Sequence, residues 1–280
     1  MPIVKLGQGQ AQLAPQGGLD KLQAFLGLHG SPSDVVLVSI DLEVGRGERD
    51  KPASHGDFPA IKECGIATLD TRKLAQANVP AGQYIRTRQL STSDSSSSFL
   101  DCDATDFQEC AFCETFRVKP KKLAHAVNQN LQIRDENARG RLREIAIVGH
   151  SLDSDLRILY RIGVDVSKMA HVIAILDTHL MAQNLVKHPN APPMPRLSLA
   201  GLLEAFHLPF DRHELHNAGN DATYTLHLAL ALATVESEGG APDPNRRLVV
   251  TRLREVISED NTAMRRWAPC RQSLGAHQAA

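Results

Sequence analysis

The stretch DVVLVSIDLEV, residues 34–44, is apolar at nearly every position from Val35 to Ile40 and then admits two acids, Asp41 and Glu43. A run that is apolar on both alternating faces is the pattern of a central strand covered on both sides. Residues two apart on a strand point the same way, so Asp41 and Glu43 project together from the end of the best-buried strand in the chain. A carboxylate drawn out of water needs a cation, a proton or several hydrogen bonds. Two readings stand at this point: the strand ends there and both acids are solvated, or the acids are gathered for chemistry.

Working outward, IKECGIATLD at 61–70 and QYIRTRQL at 83–90 read as the next two strands, with turn-rich TRKLAQANVPAG at 71–82 between them. STSDSSSS at 91–98 has nothing to bury and reads as a mobile loop. A helix around 119–131, a strand EIAIVG at 144–149 and a helix from Ser151 to about Ile162 follow. A short strand VIAILD at 172–177 leads into a helix, a proline-rich loop HPNAPPMP at 188–195, a helix SLAGLLEAFH at 198–207 and the apolar helix of LHNAGNDATYTLHLAL at 215–230. Strands first in a run and later alternating with helices give a mixed, helix-covered sheet. The organisation expected is an N-terminal extension at 1–29, an α/β domain at 30–236, and a C-terminal part at 237–280 with a last helix at 246–258 and a frayed tail beyond 268.

With 42% apolar residues in 280 and a formal charge of -1, the chain carries a proper core and no global basic field. Its basic clusters, RVKPKK at 117–122, RGRLR at 139–143 and RRLVVTRLR at 246–254, read first as solvated faces. The amino terminus lacks the form of a signal peptide and no stretch reaches membrane-spanning length, so the expectation is an intracellular protein, cytoplasmic or nuclear, with no membrane partner. Five cysteines without export signals argue for reduced thiols. Cys110 and Cys113 form a CxxC near Cys102 and His125, but the second pair is irregularly spaced for zinc, and free, half-buried thiols are the default.

Two more acids stand out of place. In GHSLDSDLRILYRIG, residues 149–163, a helical core face at Leu152, Leu156, Leu159 and Ile162 puts Asp155 inward, while Asp153 lines up with Arg157 and Tyr160 outside. The competing reading leaves Asp155 at the helix edge, reaching water. Asp221 opens a helix too apolar for the surface; Asn217 serves as its cap, which leaves His216 without a structural task. Acids on a strand and two helices can hold a pair of divalent cations roughly 4 Å apart for in-line displacement at phosphate. A histidine beside them suits the role of taking a proton from water.

SIDLE, GHSLDSDL and HNAGNDA resemble the three motifs of the DEDDh 3′→5′ exonucleases of the RNase H-like superfamily, and are most similar to a fungal branch of exonuclease-like proteins. The order D-x-E, G-H-x-x-x-x-D, H-x-A-x-x-D spans residues 41–221, and ILDTHL at 175–180 and LSLAGLLEAFHL at 197–208 resemble features found between the second and third motifs. Where the tyrosine subclass carries its aromatic, four residues before the last Asp, this chain has Asn217, so the histidine subclass is the match.

The resemblance implies an RNase H-like α/β fold, with a mixed five-stranded sheet whose first three strands are antiparallel. It implies metal-dependent hydrolysis of single-stranded RNA or DNA from the 3′ end with two Mg²⁺ or Mn²⁺ ions. By the same resemblance Asp41, Glu43 and Asp221 hold the metal beside the attacking water, Asp41 and Asp155 serve the second metal, and His216 is the general base. Leu42, Val44 and His150 take the substrate-contacting positions, with Val44 standing where many relatives have Thr. A binding or scaffold protein that kept the fold and lost catalysis is the rival reading; its usual signature is a missing ligand, and all five positions are filled. An RNase H-type endonuclease is disfavoured by His216, five residues before the last acid.

Overall fold

The computed structural model describes residues 18–45, 60–76, 79, 83–92, 110–235 and 244–267. The centre is β1 (Val36–Val44), paired antiparallel with β2 (Ile61–Asp70) and parallel with β5 (Ile145–Gly149). β2 pairs antiparallel with β3 (Ile85–Ser91), and β5 pairs parallel with β6 (Val172–Asp177). These are the five strands expected. A sixth, β4 (Thr115–Arg117), lies parallel to β3 at the edge and completes the order β4-β3-β2-β1-β5-β6. Its three residues carry no alternation long enough to read from sequence.

The helices are α1 (Leu19–Phe25), α2 (Thr71–Leu74), α3 (Pro120–Leu131), α4 (Asp153–Arg161), α5 (Thr178–Leu185), α6 (Leu199–Ala205), α7 (Ala218–Ala233) and α8 (Pro244–Trp267). α3 and α4 cover one face of the sheet, where Val38, Ile40, Leu42, Ile66 and Ile147 meet Leu123, Val127, Ile158 and Leu159. α7 lies across the other face with all sixteen of its residues buried. A helix that is apolar all round has to be enclosed, and α7 is enclosed by the sheet and by α1, α5, α6 and α8. Gln23 of α1 donates through Nε2 to the carbonyls of Ala233 and Val235, satisfying acceptors that the end of α7 leaves over. Among the described residues, no helix is long and apolar enough to cross a membrane.

The inward face of α4 differs from the sequence reading. Leu152, Asp155 and Leu159 are buried as expected, but Ile158 completes that face, while Leu156 and Ile162 are only partly covered. On the same side Asp155 is tied to the end of β1 through the Leu42 N–H. Asp153 and Arg157 form their expected exposed i,i+4 pair. α8 extends beyond the expected 246–258 at both ends. The tail beyond 268, Cys102, and Ser93 to Ser98 of the serine-rich stretch lie outside the described residues; Ser91 ends β3.

Candidate active site

β5 accompanies β1 only as far as Ser39, opposite Val148. Beyond that point the β5-side edge of β1 needs another partner for its polar groups. Asp155 supplies it, its Oδ1 accepting the N–H of Leu42 at 3.2 Å. Asp155 is 3% exposed, which excludes the reading that leaves it in water at the helix edge. Its helix is aimed by Asp177, a buried carboxylate that accepts the N–H groups of Ser151 at 3.1 Å and Leu152 at 2.9 Å while capping α5 through His179 N–H at 2.9 Å. The D-T pair of ILDTHL is therefore a latch between β6 and the start of α4. Thr178 extends it, donating to the Gly149 carbonyl at 3.1 Å.

Asp41 and Glu43 share the β1 face that carries Leu37 and Ser39, the side covered by α7. α7 approaches closely because Gly65, the register partner of Asp41, has no side chain. A Cβ there would lie 1.8 Å from the carbonyl oxygen of Ala218. The first turn of α7 is held by the sheet beneath it: Ala218 N–H donates to Glu63 Oε2 at 3.2 Å and Gly219 N–H to Gln89 Oε1 at 3.2 Å. Asn217 caps the helix as expected, accepting from Asn220 N–H at 3.1 Å. The four N–H groups that open a helix usually await water or a ligand. Here the first-turn donors Ala218, Gly219, Asn220 and Asp221 all have acceptors within the protein.

His216 stands just before the cap at φ 64°, an uncommon backbone conformation for a residue with a Cβ. Its N–H donates to Asp221 Oδ2 at 3.0 Å, which ties the backbone to the acid while the side chain stays 91% exposed. His216 Nδ1 lies 4.0 Å from Glu43 Oε1. Glu43, His216 and Asp221 bring one ligand atom each to within 4.8 Å of one another, although Glu43 lies 173 residues before His216 in the chain. Asp41 and Asp155 converge on the same strand end: after burial itself, their two negative charges are what push the Cys64 thiol up. Oxygen donors from carboxylates with one imidazole suit a hard divalent cation such as Mg²⁺ or Mn²⁺. The donor set fits such ions.

The structure adds an acid that sequence reasoning passed over. Glu63 faces Glu43 across the β1–β2 register. Burial pushes its carboxyl up, the Ala218 N–H draws it down, and the Glu43 charge pushes it up again, for a net upward shift. The signal was present: Glu63 is an acid leading into the closed run Cys64 to Ala67 of its strand, much as Asp41 follows the closed run of β1. Of the remaining positions, Leu42 has its side chain fully buried in the core. Val44 sits at the irregularity where the β1–β2 register slips, and is partly exposed. His150 is half-buried with Nδ1 2.9 Å from Thr178 Oγ1 and its ring edge-on to His179. Burial brings its imidazole down to about 4.

The family model described as DNA polymerase III subunit epsilon-like, C-terminal domain, of DEDDh type, matches residues 36–232. A Saccharomyces cerevisiae protein designated uncharacterized protein YDR514C is 29% identical over 215 residues, which cover 72% of this chain. The chain spans 42% of the length of that relative. Among solved structures, that of the yeast NOT1 MIF4G domain co-crystallized with CAF1 contains a similar chain, at 14% identity and TM-score 0.42, covering 82% of this chain and 90% of that one. The RNase domain of the yeast Pop2 protein is similar at 13% identity and TM-score 0.38, covering 84% and 90%.

Proposed function

The chain belongs to the DEDDh family, and from that premise we propose that it is a metal-dependent 3′→5′ exonuclease acting on single-stranded RNA or DNA. The observation that carries this reading is the meeting of Glu43, His216 and Asp221 at the open end of β1. Asp41, Glu43 and Asp221 would hold one divalent cation, Mg²⁺ or Mn²⁺, and Asp41 with Asp155 a second. When bound, such a pair supplies positive charge to the attacking water and to the leaving oxygen of the scissile phosphodiester.

The chain's own groups do the positioning and the proton transfer. Asp155 is oriented by the Leu42 N–H, and α4 by Asp177, so the acid on the helix and the acids on the strand keep a fixed relation. His216 takes the proton of the attacking water: its backbone is tethered to Asp221 while its exposed ring, 4.0 Å from Glu43, can meet a phosphate end. Val44, at the rim, and His150, behind α4, are assigned to the terminal nucleotide. Leu42 serves through its backbone, by holding Asp155.

The test is incubation of 5′-labelled RNA and DNA oligonucleotides with purified protein in Mg²⁺, Mn²⁺ or chelator. A ladder of stepwise shortening that chelator abolishes is expected, with a circular single strand left intact. Rapid cutting of the circle would replace the reading with an endonuclease, and absence of hydrolysis in both metals would leave only a nucleic-acid-binding or scaffold role.

A further inference from the structure

The loop 110–113 lies along the first turns of α7, residue by residue. Cys110, 7% exposed, fills the space left by Gly219, where a Cβ would come within 2.7 Å of its Sγ. Ala111 N–H donates to Asn220 Oδ1 at 2.8 Å. The Phe112 ring stands edge-on to Tyr224 at 5.3 Å. Cys113, partly exposed, donates from its thiol to Cys110 Sγ at 2.9 Å. From there two links run to the segment that carries His216: Asn220 Nδ2 donates to the Glu214 carbonyl at 2.9 Å, and Tyr224 donates its hydroxyl to Glu214 Oε2 at 2.8 Å.

We propose that Cys110 and Cys113 are a redox-active dithiol that exchanges with small-molecule disulfides, and that its state is transmitted through Asn220 to the lead-in carrying His216. A thiol pair with two residues between them, one sulfur partly exposed and the other packed behind it, suits thiol–disulfide exchange. The Cys113 S–H, helped by the N–H groups of Phe112 and Cys113, holds the Cys110 thiol below its ordinary range, and Cys113 as donor is raised. Among the described side chains no third histidine, cysteine or acid joins the two sulfurs in a metal-sized cluster.

In the reaction the Cys113 proton passes to the Cys110 sulfur it already faces, and the Cys113 thiolate so formed attacks one sulfur of an oxidant R–S–S–R, whose S–S bond breaks as one RSH leaves. The Cys110 thiolate then attacks Cys113 Sγ, the mixed disulfide breaks and a second RSH leaves. Two thiol protons and two electrons have passed to the oxidant. A disulfide bond is about 2.05 Å long, so the sulfurs close by about 0.9 Å from 2.9 Å. The less packed Cys113 makes most of that movement, and the closed loop keeps Ala111 against Asn220.

The test uses the full chain, reduced, desalted and equilibrated in mixtures of oxidised and reduced glutathione, then alkylated and peptide-mapped. Linkage of Cys110 to Cys113 is expected at ratios that leave the buried Cys64 thiol free. Amide hydrogen exchange over 111–113 and 214–221 should slow severalfold in the oxidised form. Asn220→Ala should still form the disulfide while the change no longer reaches 214–217, and Cys113→Ser should make exchange indifferent to glutathione. No linkage at any ratio, linkage with unchanged exchange at 214–221, or one equivalent of tightly held zinc would each overturn the proposal. Only the role of His216 rests on the exonuclease reading, and no measurement here needs hydrolysis. A chain that forms and transmits the disulfide yet degrades no nucleic acid would sink that reading and keep this one.

Discussion

The two ends of β1 both gather acids, and they treat them differently. At the end where β1 begins, Arg143 grips Asp70 at 2.7 and 2.9 Å and Asp34 at 2.7 Å, and Arg72 grips Asp135 at 2.9 Å and Asp34 at 2.6 Å. With Arg141 Nε 3.7 Å from Asp135, three guanidiniums answer three carboxylates, which is how ion pairs are made to hold a fold. At the end where β1 stops, Asp155, Asp221 and Glu63 accept the backbone N–H groups of Leu42, His216 and Ala218, and Asp155 also accepts the Ser154 hydroxyl at 3.3 Å. A backbone N–H orients a carboxylate without cancelling its charge. The first end is built to be neutral, and the second is built to hold negative charge in place for a cation to meet.

The largest effect that tests this contrast comes from the second end. Asp41→Asn or Asp221→Asn should remove nearly all hydrolysis and also the upward melting shift that Mn²⁺ gives the native state, while melting no lower than wild type in chelator, because one of several crowded like charges has gone. A Mn²⁺ shift that survives undiminished in both variants would end the metal-site assignment. His216→Ala should lose about 10² to 10⁴ in rate, the usual worth of a general base, and keep the Mn²⁺ shift. Loss of that shift would move His216 from proton acceptor to ligand, which its place in the cluster with Glu43 also permits.

Breaking the first end should do the opposite. Arg143→Met leaves Asp70 and Asp34 without their shared guanidinium, and stability should fall by about 1–3 kcal/mol in denaturant melts with kcat unchanged. The loss stays below that of a fully buried pair because Asp34 is 46% exposed while Arg143 is 4%. A large loss of turnover in a folded Arg143→Met protein would erase the distinction between the two ends.

The smallest effect is one of sign. At the first end the Arg72 guanidinium brings the Asp135 carboxyl down to about 2. Burial pushes the Asp70 carboxyl up, but Arg143 and the Arg72 N–H outweigh it and hold it below 3.8. Groups lowered on folding stabilise above their unfolded value and lose that stabilisation as pH falls through the folded one. Glu63, raised above 4.5, behaves inversely: the fold is penalised once pH exceeds the unfolded value, and the penalty disappears on acidification. Asp70→Asn should therefore melt below wild type at pH 7, the gap closing as pH falls below 3.8. Glu63→Gln, which can still accept from Ala218, should melt level with or slightly above wild type at pH 7 and coincide with it below 4.5. Parallel pH profiles for the two variants would contradict the comparison.

How much of this was legible without a structure follows from what each signal depends on. The run before Asp41, apolar on both faces but for Ser39, announces a central strand, and period two alone puts Asp41 and Glu43 on one face. The turn-by-turn spacing in α4 was enough to place Asp155 inward, although it named Leu156 where Ile158 lies. Asn217 as cap and Asp221 in the first turn of a buried helix were equally local readings. Each needs only the geometry of its own element.

Tertiary structure alone decided what those faces meet. Glu63 joins the site because the β1–β2 register sets it opposite Glu43, and register is a property of two strands. Asp221 reaches the strand acids because Gly65 admits the Ala218 carbonyl, a contact between residues 153 apart in the chain. α1, read as extension, closes the core over the end of α7, and Asn220, given no role by the sequence, bridges the CxxC loop to Glu214. Periodicity in a sequence reports which way a side chain points; what stands opposite it depends on distant segments finding their register, and no window of the sequence contains both partners.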